Sequence, residues 1–172
     1  MADILKKLEG GDRRSIGQAA QVVDAVSAQP ALFESVFNAM LVDDPLVRMR
    51  AADAVEKITA TQPHYLQPYK DILINQVAHV NQQEVRWHVA QILPRLSLNR
   101  RQRESAVGIL FGYLQDKSNI VKTFSLQALA DFAEKDGSLR RRVVAVLEEM
   151  IQSGSPAVIN RGKKLLAKLR RT

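Results

Sequence analysis

Hydrophobic and polar positions along the chain follow a helical period that is interrupted at regular intervals. Apolar residues recur at i, i+3, i+4 and i+7 within segments of about ten to seventeen residues, and no segment sustains the alternation typical of a strand. Residues that begin or break helices separate the segments. They are Gly10 with Gly11, Gln29 with Pro30, Asp44 with Pro45, Gln62 with Pro63, Asn81, Asn99, Ser118, Gly137 with Ser138, and Ser155 with Pro156. The pattern predicts an all-α protein of roughly ten helices, with connections so short that neighbouring helices run antiparallel.

Four of these segments align as copies of one internal repeat. Their anchors lie 38, 36 and 37 residues apart, at Val47, Val85, Val121 and Val158. Position four after the anchor is mostly small, and positions seven, eight and eleven are apolar. Position four holds Ala51, Val89, Ser125 and Gly162, and position seven holds Ala54, Ile92, Ala128 and Leu165. Position eight holds Val55, Leu93, Leu129 and Leu166, and position eleven holds Ile58, Leu96, Phe132 and Leu169. On a helix they lie within about 100° of one another, which predicts one buried stripe along each copy.

A preceding helix pairs with each copy and completes a hairpin. The predicted first helices span residues 31–41, 67–80, 99–115 and 138–152, and residues 12–28 form a degenerate second helix. Asp44 and Ser155 are predicted to cap second helices, each followed by a proline at a position where a missing N–H is tolerated. Asn81 with Glu84 is similar to a capping box, and Pro94 predicts a kink late in the same helix.

The domain organisation follows from the same repeat. Each hairpin leaves apolar surface that only its neighbours can cover, so we expect a single domain over residues 1–172. Residues 1–29 are the expected N-terminal capping half-repeat, and the repeats occupy residues 30–62, 63–98, 99–136 and 137–172. The exposed Lys and Arg side chains of the last helix would then act as a polar cap on the stack.

The period and the motif resemble those of HEAT repeats. The pattern D-x-x-V-R-x-x-A-x-x-A-L is best matched by DDPLVRMRAADAV at residues 43–55, and the Val-basic pair recurs at Val85-Arg86 and Val121-Lys122. The resemblance implies a right-handed α-solenoid of about four to five helical hairpins. It also implies a ladder between the turn Asp and the helix Arg of neighbouring repeats. Gln82, Ser118 and Ser155 stand in the place of Asp44 in the other copies, which weakens that expectation beyond the first copy.

The resemblance places the second helices on the concave side of the stack, and the helical period then selects the positions that face outward. Those positions predict a partner-binding face. It consists of Arg50, Trp87, His88, Gln91, Arg95, Arg161 and Lys164. Aromatic and Arg side chains on one exposed face are typical of binding hot spots. The structural alternative is that Trp87 packs over the groove between repeats and that Phe124, on the same face, belongs to the core.

Charge is concentrated towards the end of the chain. Residues 1–137 contain 16 Lys/Arg and 16 Asp/Glu, whereas residues 138–172 contain 9 and 2, so the net charge of +7 lies in the last segment. Two arginine clusters open successive first helices and predict a basic edge, formed by Arg100, Arg101, Arg103, Arg140, Arg141 and Arg142. Cations are slightly unfavourable at a helix N-terminus, so helix stability does not explain them and an acidic partner would. A solvated edge without a partner is the alternative.

Residues that carry catalysis are scarce in this chain. Cysteine is absent, and the three histidines lie on different predicted helices without a second ligand at helical spacing, so neither a metal site nor a cofactor is expected. The chain has no phosphate-binding or nucleophile motif, and no small-molecule substrate is evident. It also has no apolar run of signal-peptide or membrane-span length, so we expect a cytoplasmic protein without a membrane partner.

These observations favour a non-enzymatic protein–protein interaction or scaffold module that binds an unidentified protein partner on its concave face. The basic edge favours an acidic partner. The alternative is a nucleic-acid-binding protein that uses the basic edge and the C-terminal helix. HEAT-like DNA glycosylases use an Asp in an aromatic cleft, but Asp53 and Asp131 do not lie next to Trp87 in the expected layout. A lyase or helper that acts on a bound tetrapyrrole is a further alternative, which no residue singles out.

Overall fold

The computed structural model describes residues 2–10 and 17–171 and confirms an all-α protein. Within these ranges it contains ten α-helices, five 3₁₀ helices and no strand. The α-helices are α1 (Ala2–Lys6), α2 (Ala19–Ala28), α3 (Phe33–Asn38), α4 (Pro45–Thr61), α5 (Lys70–Asn75), α6 (Gln83–Ile92), α7 (Arg100–Tyr113), α8 (Asn119–Lys135), α9 (Gly137–Ser153) and α10 (Pro156–Leu169). Of the predicted second helix at 12–28, residues 12–16 lie outside the described ranges, as does Gly11 of the predicted stop.

Two of the predicted first helices are built from short pieces. 3₁₀ helices at Pro30–Leu32 and Ala39–Leu41 flank α3, and others at Pro63–Tyr69 and Val77–His79 flank α5. In the second of these, Pro68 lies inside the 3₁₀ helix Pro63–Tyr69, where its ring removes an N–H donor and fixes φ. The corresponding helices α7 and α9 have no internal proline and run without interruption.

The chain forms two compact units. The N-terminal unit comprises residues 1–97 and the C-terminal unit comprises residues 98–172. The boundary falls where the sequence predicts the end of the second repeat. In the N-terminal unit α4 packs against α2, α3 and α6, and in the C-terminal unit α8 packs against α7, α9 and α10.

The predicted stripe is buried in all four segments, which confirms the prediction that these positions belong to the core. All four anchor valines and all sixteen positions that follow them in the stripe are buried. The small residue at position four has a direct reason in the last copy. A Cβ added to Gly162 would lie 2.7 Å from Cγ2 of Ile151, so α9 and α10 approach each other too closely for a larger side chain there.

Four residues that the sequence marks as starts or breaks of helices act as N-caps, namely Asp44, Asn99, Ser118 and Ser155, and Asn99 forms a complete capping box with Gln102. The Asp44 carboxylate accepts hydrogen bonds from the N–H groups of Leu46 (2.8 Å) and Val47 (3.3 Å), and Ser118 and Ser155 cap α8 and α10 in the same way. The predicted capping box of Asn81 and Glu84 is wrong. The N-cap residue of α6 is Gln82, and its side chain makes no capping hydrogen bond.

Gln82 instead joins two helices. Nε of Arg48 donates to Oε1 of Gln82 at 2.9 Å, and Nε2 of Gln82 donates to the carbonyl of Pro45 at 2.7 Å. The amide thus ties the start of α6 to the start of α4. A Gln in the turn of the second copy therefore provides the link between neighbouring copies that a turn Asp was expected to provide.

Pro94 ends a helix rather than bending it. The α-helix stops at Ile92, and a 3₁₀ helix spans Leu93–Arg95. The sequence predicted a kink at Pro94. The helix is interrupted there, but by an early end of the α-helix and a 3₁₀ turn rather than by a bend. A proline cannot donate to the carbonyl four residues before it, which accounts for this end.

Arg50 is the largest of the fully buried side chains, with only 1% of its surface exposed. Its Nη1 donates to three carbonyl groups that follow α1, those of Leu8 (2.9 Å), Glu9 (3.1 Å) and Gly10 (2.6 Å). Gly17, at φ 57°, leaves room for the guanidinium, because a Cβ there would lie 2.8 Å from Cζ of Arg50. Arg50 therefore anchors the N-terminal segment to α4.

Replacement of Arg50 by Met should destabilise the protein by about 3 kcal/mol, because the buried carbonyl groups lose their donor. The measurement is urea unfolding followed by circular dichroism. Lys57→Met is the control, since Lys57 pairs with Asp53 on the surface of the same helix and should contribute about 0.5 kcal/mol or less. Equal losses in the two variants would show that Arg50 does not anchor the segment.

Candidate binding surfaces

Three of the predicted partner-binding residues lie together on the outward face of α6, and we call Trp87, His88 and Gln91 the α6 patch. The ring centroids of Trp87 and His88 are 5.6 Å apart, at an interplanar angle of 60°. Nε2 of Gln91 donates to the carbonyl of Trp87 at 3.3 Å and lies 3.5 Å from Nδ1 of His88. All three side chains are partly buried, so the patch is only partly open to solvent, and its own contacts hold it in place.

His88 carries no charge at neutral pH. Burial lowers the pKa of its imidazole to about 4, because the charged form would lose its hydration. Asp53 and Glu56 on α4 act in the opposite direction, and Lys57 and Arg95 add to the lowering. The α6 patch is therefore an uncharged surface of two rings and an amide.

Arg95 was predicted to face a partner, but its side chain also links two helices. Its guanidinium forms an ion pair with the carboxylate of Glu56 and donates to the Glu56 carbonyl at 2.7 Å and to Oγ1 of Thr59 at 3.1 Å. These bonds tie the 3₁₀ turn after α6 to the last third of α4. Arg95 is partly buried beside the α6 patch, with most of its donors already engaged.

The prediction that Arg50 faces outward is wrong. The side chain is buried against the segment that follows α1. The helical period places Arg50 opposite the apolar stripe, but it does not reveal that another part of the chain covers that side of α4.

Arg161 and Lys164 lie on α10 in the C-terminal unit. Nη1 of Arg161 donates to Oε1 of Gln127 on α8 at 2.7 Å, so this partly buried arginine links two second helices. Lys164 is exposed. Phe124 is partly buried. The sequence was compatible with either an outward position or a core position for this residue.

The predicted basic edge is brought together in part. Three of its arginines line one cleft of about 460 Å³ between α7 and α9 in the C-terminal unit. The lining residues are Arg100, Arg103, Glu104, Val107, Asp136, Ser138, Leu139 and Arg142, and we call this site the arginine cleft. Arg101, Arg140 and Arg141 are not among them; Arg101 and Arg141 are exposed, and Arg140 is partly buried.

Two of the three arginines in the cleft have carboxylate partners. Nε of Arg100 lies 2.9 Å from Oε1 of Glu104, and Nη1 of Arg103 lies 3.3 Å from Oδ2 of Asp136. Asp136 also caps α9, and the hydrogen bond from the Ser138 side chain is the main reason why the pKa of its carboxyl is lowered. The cleft is thus a mixed-charge site with its ion pairs already formed.

Arg142 is held differently. Its guanidinium carbon lies 3.8 Å from the centre of the Phe111 ring, a cation–π arrangement. Sequence reasoning missed Phe111, because nothing local connects residues 31 positions apart. It also missed Asp136, although the Asp-Gly-Ser run at 136–138 is typical of a helix N-cap.

The described part of the chain contains neither a candidate metal-binding site nor a candidate membrane-spanning helix. No group of three His, Cys, Asp or Glu side chains suited to a metal ion occurs there, and none of the described helices is long and apolar enough to cross a membrane. Comparison with protein-family models and with curated proteins finds no match for this chain.

The depressed pKa of His88 predicts a pH-dependent stability. The unfolded chain takes up a proton near pH 6.5 and the folded protein only near pH 4, so stability should fall as the pH drops through this window, by roughly 3 kcal/mol in total. Urea unfolding between pH 7 and pH 4 measures the loss. His88→Gln should flatten this part of the profile. An unchanged profile in the His88 variant would contradict the assignment.

Proposed function

We propose that this chain is a non-enzymatic, cytoplasmic protein-interaction module with the α6 patch as its main contact surface. In this proposal it is a right-handed α-solenoid of about four to five HEAT-like hairpins. The burial of the same positions in four copies supports the solenoid, as does the packing of second helices against each other, α4 against α6 and α8 against α10. Stacked hairpins are well suited to binding because they present extended surfaces on a rigid scaffold.

One observation carries the choice of the α6 patch. The Trp87 ring lies beside an imidazole that stays neutral at physiological pH, and both are partly open to solvent on the outward face of a helix whose other face is core. An indole in this position offers a large apolar area together with one N–H donor, which is why Trp dominates interface hot spots. The neutral imidazole next to it adds little desolvation cost when a partner covers the patch.

The charge of the C-terminal unit supports an acidic partner. Residues 98–172 contain 15 Lys/Arg and 7 Asp/Glu, a net charge of +8, whereas residues 1–97 contain 10 and 11, a net charge of −1. A strongly positive unit steers the approach of an acidic protein and raises the association rate. In this proposal the charge serves recognition at long range and the α6 patch serves contact at short range.

Site-specific photo-crosslinking in the native host tests the proposal. A benzoylphenylalanine residue at Gln91 should form a discrete adduct with a protein partner. The same residue at Gln76, an exposed glutamine at the end of α5, should not. Introducing Trp87→Ala into the Gln91 variant should reduce the adduct about tenfold, because hot-spot tryptophans contribute a large share of the binding free energy.

The emission of Trp87 provides a control, since it is the only tryptophan of the chain. Binding of the captured partner at the α6 patch should shift this emission in the wild-type protein. Identical adducts from positions 91 and 76, or full adduct formation in the Trp87→Ala background, would place the contact surface elsewhere.

Nucleic-acid binding is the second candidate, favoured by the +8 net charge of the C-terminal unit. It predicts an affinity for duplex DNA that falls steeply with salt, because bound cations displace counterions from the phosphates. Replacement of Arg140, Arg141, Arg142, Lys163 and Lys164 by Gln should then lower the salt slope. Absence of duplex binding at low salt would eliminate this candidate.

A further inference from the structure

The arginine cleft contains one positive charge that is not balanced within it. Arg100 and Glu104 form one ion pair, and Arg103 and Asp136 form another. Arg142 is the remaining charged side chain of the lining. In the part of the chain that the structure describes, no carboxylate pairs with it. The cleft therefore matches a ligand with a single negative charge.

Arg142 is also oriented before any ligand arrives. The guanidinium lies over the face of the Phe111 ring, with its carbon 3.8 Å from the ring centre. A guanidinium with a fixed plane offers two parallel N–H donors, the geometry that a carboxylate accepts in a bidentate pair. Stacking on Phe111 thus reduces the side-chain entropy that would be lost on binding.

The remaining lining residues add apolar surface, and the N-terminus of α9 adds a positive electrostatic potential that favours an anion. Val107 and Leu139 contribute aliphatic surface between the charged side chains. Ser138 and Leu139 belong to the first turn of α9, a helix of 17 residues whose N-terminus favours a negative charge nearby. The volume of about 460 Å³ lies within the range of clefts that bind small ligands or short peptide segments.

We propose that the arginine cleft binds a peptide segment of a partner protein in which one Asp or Glu adjoins an aliphatic side chain. The carboxylate pairs with Arg142, and the aliphatic group covers Val107 and Leu139. This inference deepens the proposed function and rests on it, since it names the chemistry of a second contact with a protein partner.

The charges of the cleft favour a peptide over a nucleic acid. Glu104 and Asp136 are part of the lining and would repel successive phosphates of a nucleic-acid backbone. A peptide segment with one carboxylate meets the unbalanced guanidinium and can leave both existing ion pairs intact. The aliphatic surface of Val107 and Leu139 in the lining has no counterpart on a phosphate backbone.

The test is an NMR titration of the full chain with a synthetic peptide, acetyl-leucyl-glutamyl-leucyl amide. Arginine side-chain Nε–Hε signals are monitored. We expect a saturable shift of the Arg142 signal, and about tenfold weaker binding of the peptide that carries glutamine in place of glutamate. This comparison of two peptides requires no protein variant. A glycyl-glutamyl-glycyl analogue should also bind less tightly, because it cannot cover the aliphatic surface.

A matched pair of variants locates the binding. Arg142→Gln should weaken the glutamyl peptide about tenfold, whereas Arg141→Gln, at the exposed neighbouring position with the same change in charge, should leave the affinity within about twofold. Phe111→Leu should weaken binding by a smaller factor, because it frees Arg142 without removing its charge.

Several results would overturn the inference. The first is an equal loss of peptide affinity in the Arg142→Gln and Arg141→Gln variants. The second is a titration of the wild-type protein that does not saturate. The third is displacement of the peptide by a short duplex DNA whose own binding depends on Arg142. None of them bears on the adduct formed at Gln91, so failure of the cleft and failure of the proposed function remain distinguishable.

Discussion

The apolar stripe along each second helix is the feature on which the rest of the structure depends. A single hairpin would leave this stripe in contact with water, and an isolated helix of this length is marginal in stability. Within the N-terminal unit α4 covers its stripe against α2 and α6, and within the C-terminal unit α10 covers its stripe against α8 and α9. The small residue at position four of the stripe, such as Gly162, sets how closely these helices approach.

Close stacking also determines where polar side chains can go. Long side chains outside the stripe reach the neighbouring helix and bond to it, as Gln82 does to the start of α4 and Arg161 does to Gln127. Arg50 is the extreme case, because its guanidinium is buried and satisfies carbonyl groups that would otherwise lack donors. Positive charge in this protein is therefore partly structural, and a count of basic residues overstates the charge that is free to meet a partner.

The proposed recognition relies on the side chains that remain after these structural demands. In the N-terminal unit they form an uncharged patch of two rings and an amide. In the C-terminal unit they form a cleft in which Arg142 has no carboxylate partner among the residues that the structure describes. In both places the side chains are held by contacts within the protein, Gln91 with Trp87 and Phe111 with Arg142. Groups that are already ordered lose less conformational entropy when a partner binds.

The sequence by itself determined the helices, the period of about 37 residues and the buried stripe, because each depends on spacing along one helix. It also placed the caps at Asp44 and Ser155, where donor and acceptor lie within one turn. Only the tertiary structure decided that Arg50 is buried, that Gln82 links helices instead of completing a cap, and that Phe111 supports Arg142. The partners in these contacts lie 31 to 42 residues apart. A helical period states which side of a helix faces away from its stripe, but not which other segment of the chain comes to lie against that side.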